Sequence, residues 1–195
     1  RPLLKWAGGK RQLLPVLRQY YPESFRRYVE PFLGSGAVFF DLASSGRLRG
    51  KRVLLMDSNP DLIACYAAVR DRVDEVIENL RRLEVGHKSD GSRFYYGIRD
   101  QRFNPIRRAI VRERAPDAPE GAELAAMMIY LNRTCFNGLF RLNAKGDFNT
   151  PAGRYSNPTI CDELNLRNVS SVLRIRSVEL RHGDFSDVGA LTKAG

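Results

Sequence analysis

YVEPFLGSGAVF, residues 28–39, is the stretch that decides the fold. The segment from Arg27 to Phe32 has the composition of a short strand, and it runs into a turn that contains Gly34 and Gly36. Residues 37–44 then follow as a helix. Glycines at such a turn let the backbone approach a ligand closely, and the first N–H groups of the helix can donate to that ligand. The stretch therefore predicts a strand, a turn and a helix, with a small ligand at the turn.

An acidic residue follows this unit at a spacing typical of nucleoside-binding proteins. Asp57 ends a continuous apolar segment, RVLLMD at 52–57, which predicts a buried parallel strand. It lies about 21 residues beyond Gly36, where a carboxylate can accept hydrogen bonds from the ribose hydroxyls of a cofactor. Asp57 could also simply cap the helix that begins near Pro60, and both roles could hold at once. The succession of strands and helices predicts a doubly wound α/β fold, and dehydrogenases and methyltransferases share this arrangement.

The rest of the chain divides into a short N-terminal helix and a long central interruption of the α/β pattern. Residues 11–21 have helical spacing, with an apolar face made of Leu13, Leu14, Leu17 and Tyr20. Further helices are predicted at 71–83, 94–102, 124–131 and 165–173, loops at 85–92 and 112–121, and a strand at 178–182. Residues 132–155 have no sustained period. We therefore expect one α/β domain formed by residues 1–70 and 171–195, with a mainly helical insert at 71–170.

The composition of the chain indicates which kinds of partner it can bind. The net charge is +10 and the pI is about 9.9, so we expect a polyanionic partner, either nucleic acid or an acidic membrane surface. No apolar run approaches the roughly 18 residues that span a bilayer, and the first ten residues lack the apolar segment of a secretory signal. The three cysteines and two histidines have no metal-ligand spacing, so we expect reduced thiols and no metal site.

Two further motifs carry a family resemblance. LKWAGGK at 4–10 precedes the first helix and could by itself be a basic arm with a core tryptophan. YLNRTCFNGLFR at 130–141 is followed by Asn143, Gly146, FN at 148–149, Pro151 and GRY at 153–155. Together with residues 28–39 and DSN at 57–59, these motifs closely resemble the Dam-type (D12 class) DNA adenine-N6 methyltransferases. The resemblance covers essentially the whole chain. It implies a Rossmann-like S-adenosylmethionine-dependent fold in which the insert is a DNA target-recognition domain.

The same resemblance implies a cofactor site. Trp6 and Lys10 would line the S-adenosylmethionine pocket, with Lys10 near the methionine carboxylate, and residues 30–36 would form the methionine-binding turn. Asp57 would hold the ribose, Asp184 would accept from the adenine amine, and Phe185 would supply an amide and a ring face. The expected cofactor residues are Trp6, Lys10, Glu30, Phe32, Gly34, Ser35, Gly36, Asp57, Asp184 and Phe185.

DNA contacts are expected from residues 133–154. Four cationic and three phenylalanine side chains lie close together in this stretch. Arginine can bind guanine through two hydrogen bonds or bind a phosphate, and an aromatic ring can wedge into a base stack. The resemblance places Phe136 at the wedge position and Lys5, Leu139, Arg141 and Pro151 at base-contacting positions of members that recognise GATC. The expected DNA-contacting residues are Lys5, Arg133, Phe136, Asn137, Leu139, Arg141, Pro151 and Arg154. Any one of the basic residues could instead be a solvated surface charge.

The catalytic residues are not assigned, because no DPPY-like motif occurs in the sequence. In the family this loop accepts hydrogen bonds from the target amine and follows the GDF element, here residues 183–185, by a short stretch. We expect the sequence to end before that loop, so that this chain alone would transfer no methyl group. Either the sequence is a fragment, which we favour, or it is a degenerate member that binds DNA and cofactor without methylating.

The resemblance favours adenine-N6 methylation of duplex DNA by base flipping, in the cytoplasm of a bacterium or a phage-infected cell. A cognate restriction endonuclease would be a genetic partner only. A nicotinamide-dependent oxidoreductase would also use the glycine turn and Asp57, but it would leave LKWAGGK and the Arg-rich insert without a role. RNA remains an alternative substrate.

Overall fold

Three parallel strands form the sheet in the computed structural model, which describes residues 1–113 and 121–192. They are β1 (Arg27–Glu30), β2 (Arg52–Asp57) and β3 (Val178–His182), in the order β1-β2-β3. Glu30 lies opposite Leu55 and Asp57 lies opposite His182, so the carboxyl ends of all three strands meet at one edge. Ligands bind at this edge in open parallel sheets.

Helices account for most of the remaining described residues. The α-helices are α1 (Leu14–Leu17), α2 (Ala37–Ser44), α3 (Pro60–Asp71), α4 (Val73–Gly97), α5 (Asn104–Glu113), α6 (Gly121–Thr134), α7 (Glu163–Leu173) and α8 (Val188–Thr192). A π-helical segment, Ile98–Phe103, joins α4 to α5. Short 3-10 turns lie at Lys10–Leu13, Arg18–Tyr20, Phe136–Gly138 and Phe185–Asp187. The α/β class with a parallel sheet is thus confirmed.

The hydrophobic core extends from the sheet into the predicted insert. Residues 53–56 of β2 are buried, and so are residues 124–132 of α6. A helix that is apolar all round must be buried on every side, and α6 packs against both α3 and α4. One continuous apolar cluster therefore joins the predicted insert to the α/β part.

A buried ion pair also joins the two parts. Arg107 of α5 donates through Nε to both carboxylate oxygens of Asp61 in α3, at 2.7 and 2.8 Å. Arg107 also donates to the carbonyl of Gly146. Both charged side chains are almost fully buried, which is costly unless they are paired. The pair therefore fixes α5 and the segment near Gly146 against α3.

Local sequence predicted some boundaries well and others poorly. The helix at 37–44 and the strands at 52–57 and 178–182 are confirmed. The first strand is confirmed but ends at Glu30 rather than Phe32. The loop predicted at 85–92 is wrong, because these residues lie within α4, which kinks at Asp90. His87 donates to or accepts from the Tyr130 hydroxyl at 3.0 Å, a tertiary contact that holds this polar segment against α6.

The N-terminal helix is also different from its prediction. Residues 10–20 form two 3-10 turns around the single α-turn of α1, because Pro15 lies in the middle. The predicted apolar face is wrong, since Leu13 and Tyr20 are exposed. Of the loop predicted at 112–121, residues 114–120 lie outside the described residues. No helix within the described ranges is long and apolar enough to cross a membrane.

Candidate functional site

A cavity of about 250 Å³ lies at the carboxyl edge of the sheet. Its walls come from three separate segments: the N-terminal arm, the turn after β1 and the end of β2. The lining residues are Trp6, Ala7, Gly8, Gly9, Lys10, Glu30, Phe32, Leu33, Gly34, Ser35, Ala37 and Asp57. The structure thus brings together most of the residues expected from the sequence to contact the cofactor. Gly36, Asp184 and Phe185 do not line the cavity.

The glycine turn needs its glycines for backbone reasons. Gly34 and Gly36 have φ values of +49° and +66°, a region that favours glycine. A Cβ on Gly34 would lie 3.0 Å from Cδ1 of Trp6, and one on Gly36 would lie 2.8 Å from the Phe40 ring. The buried Tyr66 hydroxyl donates to the Gly34 carbonyl at 3.2 Å. Gly36 therefore shapes the turn, while Gly34 forms part of the cavity wall.

Asp57 holds the turn against β2. One carboxylate oxygen accepts from the Gly34 N–H and the other from the Asn59 N–H, both at 2.9 Å. The capping of α3 belongs to Asn59, whose side chain accepts from the N–H groups of Asp61 and Leu62. The proposed capping role of Asp57 is therefore wrong. Each carboxylate oxygen can accept a second hydrogen bond, so Asp57 can still receive two hydroxyls from a ligand.

Glu30 is a buried carboxyl group in the cavity wall. Burial raises its pKa to about 7, although the Tyr28 hydroxyl, which donates at 2.8 Å, and the nearby Lys10 charge both lower it. Burial raises the pKa of Tyr28 as well, so that Tyr28 stays a donor. Lys10 donates to the carbonyl of Phe32 at 3.5 Å. The cavity thus contains two carboxyl groups, Glu30 and Asp57, and one cationic side chain, Lys10. Lys10 and the ionised form of Glu30 could together hold a zwitterion.

Two exposed aromatic rings flank the cavity. Phe32 lines it, and Phe185 lies against Phe32 with ring centroids 5.4 Å apart. Asp184 accepts from the Ser186 N–H at 2.9 Å, and this hydrogen bond lowers its pKa. Both phenylalanines are more than half exposed. Solvent-exposed aromatic faces next to a cavity can stack on a flat heteroaromatic ring.

The segment from Cys135 to Tyr155, called here the 135–155 loop, carries the residues expected to contact DNA. Bridges between Cys135 and Ala152 and between Leu142 and Phe148 fold it back on itself. The Phe136 N–H donates to the Pro151 carbonyl at 2.9 Å. Two β-bridges therefore hold the loop together, and it has a defined outer surface.

That outer surface presents most of the expected DNA-contacting residues. Phe136, Asn137, Leu139, Arg141, Pro151 and Arg154 are all exposed. Arg141 donates through Nε to Oδ1 of Asn149 at 2.8 Å, which fixes its guanidinium across the loop. Asn137 has a φ of +53°, so the chain turns sharply directly after the exposed Phe136 ring. The wedge and base-reading assignments remain predictions.

Lys5 connects the N-terminal arm to this loop. Its ammonium lies 4.4 Å from the centre of the Tyr155 ring and donates to the Tyr155 hydroxyl at 3.2 Å. Gly138 packs so closely on Lys5 that a Cβ would lie 2.5 Å from the Lys5 Cβ. Tyr155 is not among the site residues expected from the sequence, although the GRY motif at 153–155 could have pointed to it.

Arg133 is placed differently from the other expected DNA-contacting residues. Its guanidinium donates to the carbonyls of Thr159 and Leu3, at 3.0 and 3.1 Å, and its Nε is buried. Burial and the nearby Arg1 charge lower its pKa. Arg133 thus holds backbone segments together, while it also lines a wider cleft of about 710 Å³.

This second cleft joins the cavity to the 135–155 loop. It shares Trp6, Gly8, Gly9 and Ser35 with the cavity. Its charged lining residues are Arg1, Lys5, Arg11 and Arg133, and none of the described residues that line it carries a carboxylate side chain. The arrangement can therefore hold a nucleoside-like zwitterion at one end and a polyanion at the other.

Comparison with known proteins agrees with this geometry. Residues 6–195 match the family described as D12 class N6 adenine-specific DNA methyltransferase. The chain is 41% identical over 197 residues to the type II methyltransferase M.MjaIII of Methanocaldococcus jannaschii, covering 96% of this chain and 63% of that protein. It is 38% identical to the type II methyltransferase M1.LlaDCHI of Lactococcus lactis, covering 95% and 59%. Identity to the DNA adenine methylase of Escherichia coli is 38%, covering 81% and 49%. The chain thus spans between about half and two thirds of the length of these relatives.

Proposed function

This chain belongs to the D12 class of N6 adenine-specific DNA methyltransferases, and we propose that the protein methylates adenine N6 in duplex DNA at GATC sites. The observation that carries the proposal is the continuity of the site. One cavity with a zwitterion-binding pair and a diol-binding carboxylate opens through a basic cleft onto an exposed loop of aromatic and arginine side chains.

Members of this family use S-adenosylmethionine, and the residues of the cavity fit it. The Glu30 carboxylate suits the methionine ammonium, and the Lys10 ammonium suits the methionine carboxylate. Asp57 has acceptor capacity for the two ribose hydroxyls, and the Phe32–Phe185 pair offers a ring face to adenine. When bound, the cofactor supplies an electrophilic methyl group on its sulfonium.

The side chains of this chain bind and orient rather than break bonds. The Asp57 carboxylate holds the Gly34 turn in its ligand-accepting shape, and Trp6 covers that turn from the other side. We assign residues 71–170 to the recognition of DNA. Within them, Phe136 fills the space left when the target nucleotide leaves the stack, and Arg141 reads a guanine edge.

The relatives named type II methyltransferases suggest a genetic context. We propose that a restriction endonuclease of the same specificity accompanies this protein. The proposal concerns the gene's surroundings and requires no contact between the two proteins.

Methyl transfer is the direct test. The longest natural form of the protein is incubated with S-adenosylmethionine and either a GATC duplex or a GTAC duplex of the same composition, and N6-methyladenine is measured by mass spectrometry of the digested DNA. Residues 1–195 alone, in which no DPPY-like motif occurs, are the control and should transfer no methyl group. We expect the modified base in the GATC duplex only. Methylation of both duplexes would refute the site, and binding of both ligands without transfer would identify a binding module. Binding of NAD in preference to S-adenosylmethionine would favour an oxidoreductase.

A further inference from the structure

Asn132 occupies an unusual place at the end of α6. Its side chain is only 3% exposed, and its amide makes three hydrogen bonds to backbone atoms. Oδ1 accepts from the Lys5 N–H at 2.9 Å, and Nδ2 donates to the carbonyls of Lys5 and Gly138, at 2.8 and 2.9 Å. One side chain thus holds both the N-terminal arm and the 135–155 loop.

The arm held in this way carries a residue of the cavity wall. Trp6, next to Lys5, packs on the Gly34 turn on one side. On its other side it stacks on Phe140 of the 135–155 loop, with ring centroids 5.5 Å apart and planes 24° apart. A movement of the loop that shifts Phe140 or Gly138 must therefore shift Trp6 unless the arm detaches.

Only an asparagine-like amide satisfies this set of partners. It supplies one acceptor and two donor hydrogens, and all three are used here. An aspartate would bring acceptors against the carbonyls of Lys5 and Gly138, and a serine is too short to reach both segments. The hydrogen bonds that join the arm to the 135–155 loop therefore require the amide of Asn132, in addition to the space that its side chain fills.

We infer that Asn132 is a positioning residue that joins DNA reading by the 135–155 loop to cofactor binding in the cavity. DNA that shifts the loop also shifts Lys5 and Trp6 through Asn132, so the cofactor meets a cavity wall whose position the bound DNA has set. Because coupling between two ligands is reciprocal, the cofactor tightens DNA binding by the same factor. The inference rests on the proposed function, since it takes the two ligands to be S-adenosylmethionine and duplex DNA.

The test measures coupling directly. The dissociation constant of S-adenosylmethionine is measured by calorimetry with and without saturating GATC duplex. We expect the duplex to tighten binding by about 5-fold or more in the wild type, the lower end of typical couplings, and by less than about 2-fold in Asn132→Ser. Trp6 is the only tryptophan in the sequence, so its emission also reports whether DNA alone reaches the cavity wall. DNA should change that emission in the wild type and not in Asn132→Ser.

Asn104 supplies a matched control. It is buried to a similar degree, and its amide holds the same loop by donating to the Phe148 carbonyl at 3.0 Å and accepting from the Phe148 N–H at 2.9 Å. Asn104 has no hydrogen bond to the arm and reaches Trp6 indirectly, through the rings of Phe148 and Phe140, whose centroids are 5.4 Å apart. Asn104→Ser should therefore lose stability while keeping most of the coupling. Equal loss of coupling in both variants would overturn the inference, because it would mean that any loosening of the loop has this effect.

The remaining outcomes separate the inference from the proposed function. A wild-type protein that binds both ligands without coupling overturns the inference and leaves the proposed function standing. A wild-type protein that binds neither ligand overturns the proposed function itself. If Asn132→Ser does not fold, hydrogen exchange of the wild type replaces it: the GATC duplex should slow exchange of the Lys5 N–H, which donates to Asn132, and unchanged exchange would overturn the inference.

Discussion

Replacing Glu30 with glutamine should strengthen the fold and weaken the function. Glu30 is 6% exposed, and burial raises its pKa from 4.5 to about 7. One pH unit corresponds to about 1.4 kcal/mol, so ionising Glu30 in the folded protein costs about 3 kcal/mol. The folded state therefore holds a proton that the unfolded chain releases, and the free energy of unfolding falls as the pH rises from about 4.5 to about 7.

The free energies of unfolding of the wild type and of Glu30→Gln should therefore differ more as the pH rises. Glutamine resembles the protonated acid and cannot ionise, so Glu30→Gln should match the wild type near pH 4.5 and exceed its unfolding free energy by up to about 3 kcal/mol at pH 8. Urea unfolding at several pH values measures this difference. A difference that does not vary with pH, or a variant that is less stable at pH 8, would refute the reasoning.

The affinity for the cofactor should rise with pH, whereas the free energy of unfolding falls. The ionised carboxylate is the form that attracts the methionine ammonium, so wild-type affinity for S-adenosylmethionine should rise as Glu30 loses its proton, by up to 10-fold per pH unit below pH 7. Glu30→Gln should lack this component, and because the ligand's own titration is common to both proteins, the ratio of the two affinities isolates Glu30. A constant ratio between pH 5.5 and 8 would remove Glu30 from the cofactor site.

Three further perturbations have defined outcomes. Asp57→Ala leaves two backbone N–H groups without their acceptor and should weaken S-adenosylmethionine binding by about 1–3 kcal/mol in calorimetry; unchanged affinity would exclude Asp57 from the site. Arg141→Ala should reduce the difference in binding free energy between GATC and altered duplexes by about 1–3 kcal/mol. Arg154→Ala should weaken binding to all duplexes alike and lower the salt dependence of that binding. Equal losses of affinity on every duplex for Arg141→Ala would contradict base reading. Arg107→Met leaves Asp61 buried without its partner and should cost about 3–5 kcal/mol in urea unfolding, most of it recovered when Asp61→Leu is added; a cost below about 1 kcal/mol for the single variant would contradict this account.

The elements that local sequence predicts are those whose signal lies in their own residues. Residues 53–56 of the strand at 52–57 are all apolar, and the glycines of the turn at Gly34 and Gly36 themselves indicate its backbone conformation. Parallel strands share one carboxyl edge, so the approach of Glu30 and Asp57 to a common cavity also follows from the sequence. Residues 85–92 look like a loop because they are polar, but His87 contacts Tyr130 far along the chain and so helps to hold them in α4.

Side-chain roles that depend on distant contacts could not be predicted in this way. Arg133 lies in the same basic stretch as Arg141, yet one guanidinium reaches two distant carbonyls and the other stays at the surface. The role of Asn132 has no local signature, because its bonds to Lys5, 127 residues away, are set by the fold. The family motif marks where such residues occur, while the contacts determine which of them face a ligand.

The construction of the 135–155 loop bears on how proteins of this kind change their target sequence. Side chains of the protein interior hold its backbone by hydrogen bonds. The Asn104 amide bonds to the N–H and carbonyl of Phe148, and Tyr95 and Arg99 donate to the carbonyl of Thr150. The outward side chains contribute little to this support, and substitutions of such exposed residues usually change stability by less than about 0.5 kcal/mol. If the loop reads bases as proposed, substitutions at its surface should change the target sequence while the fold is preserved.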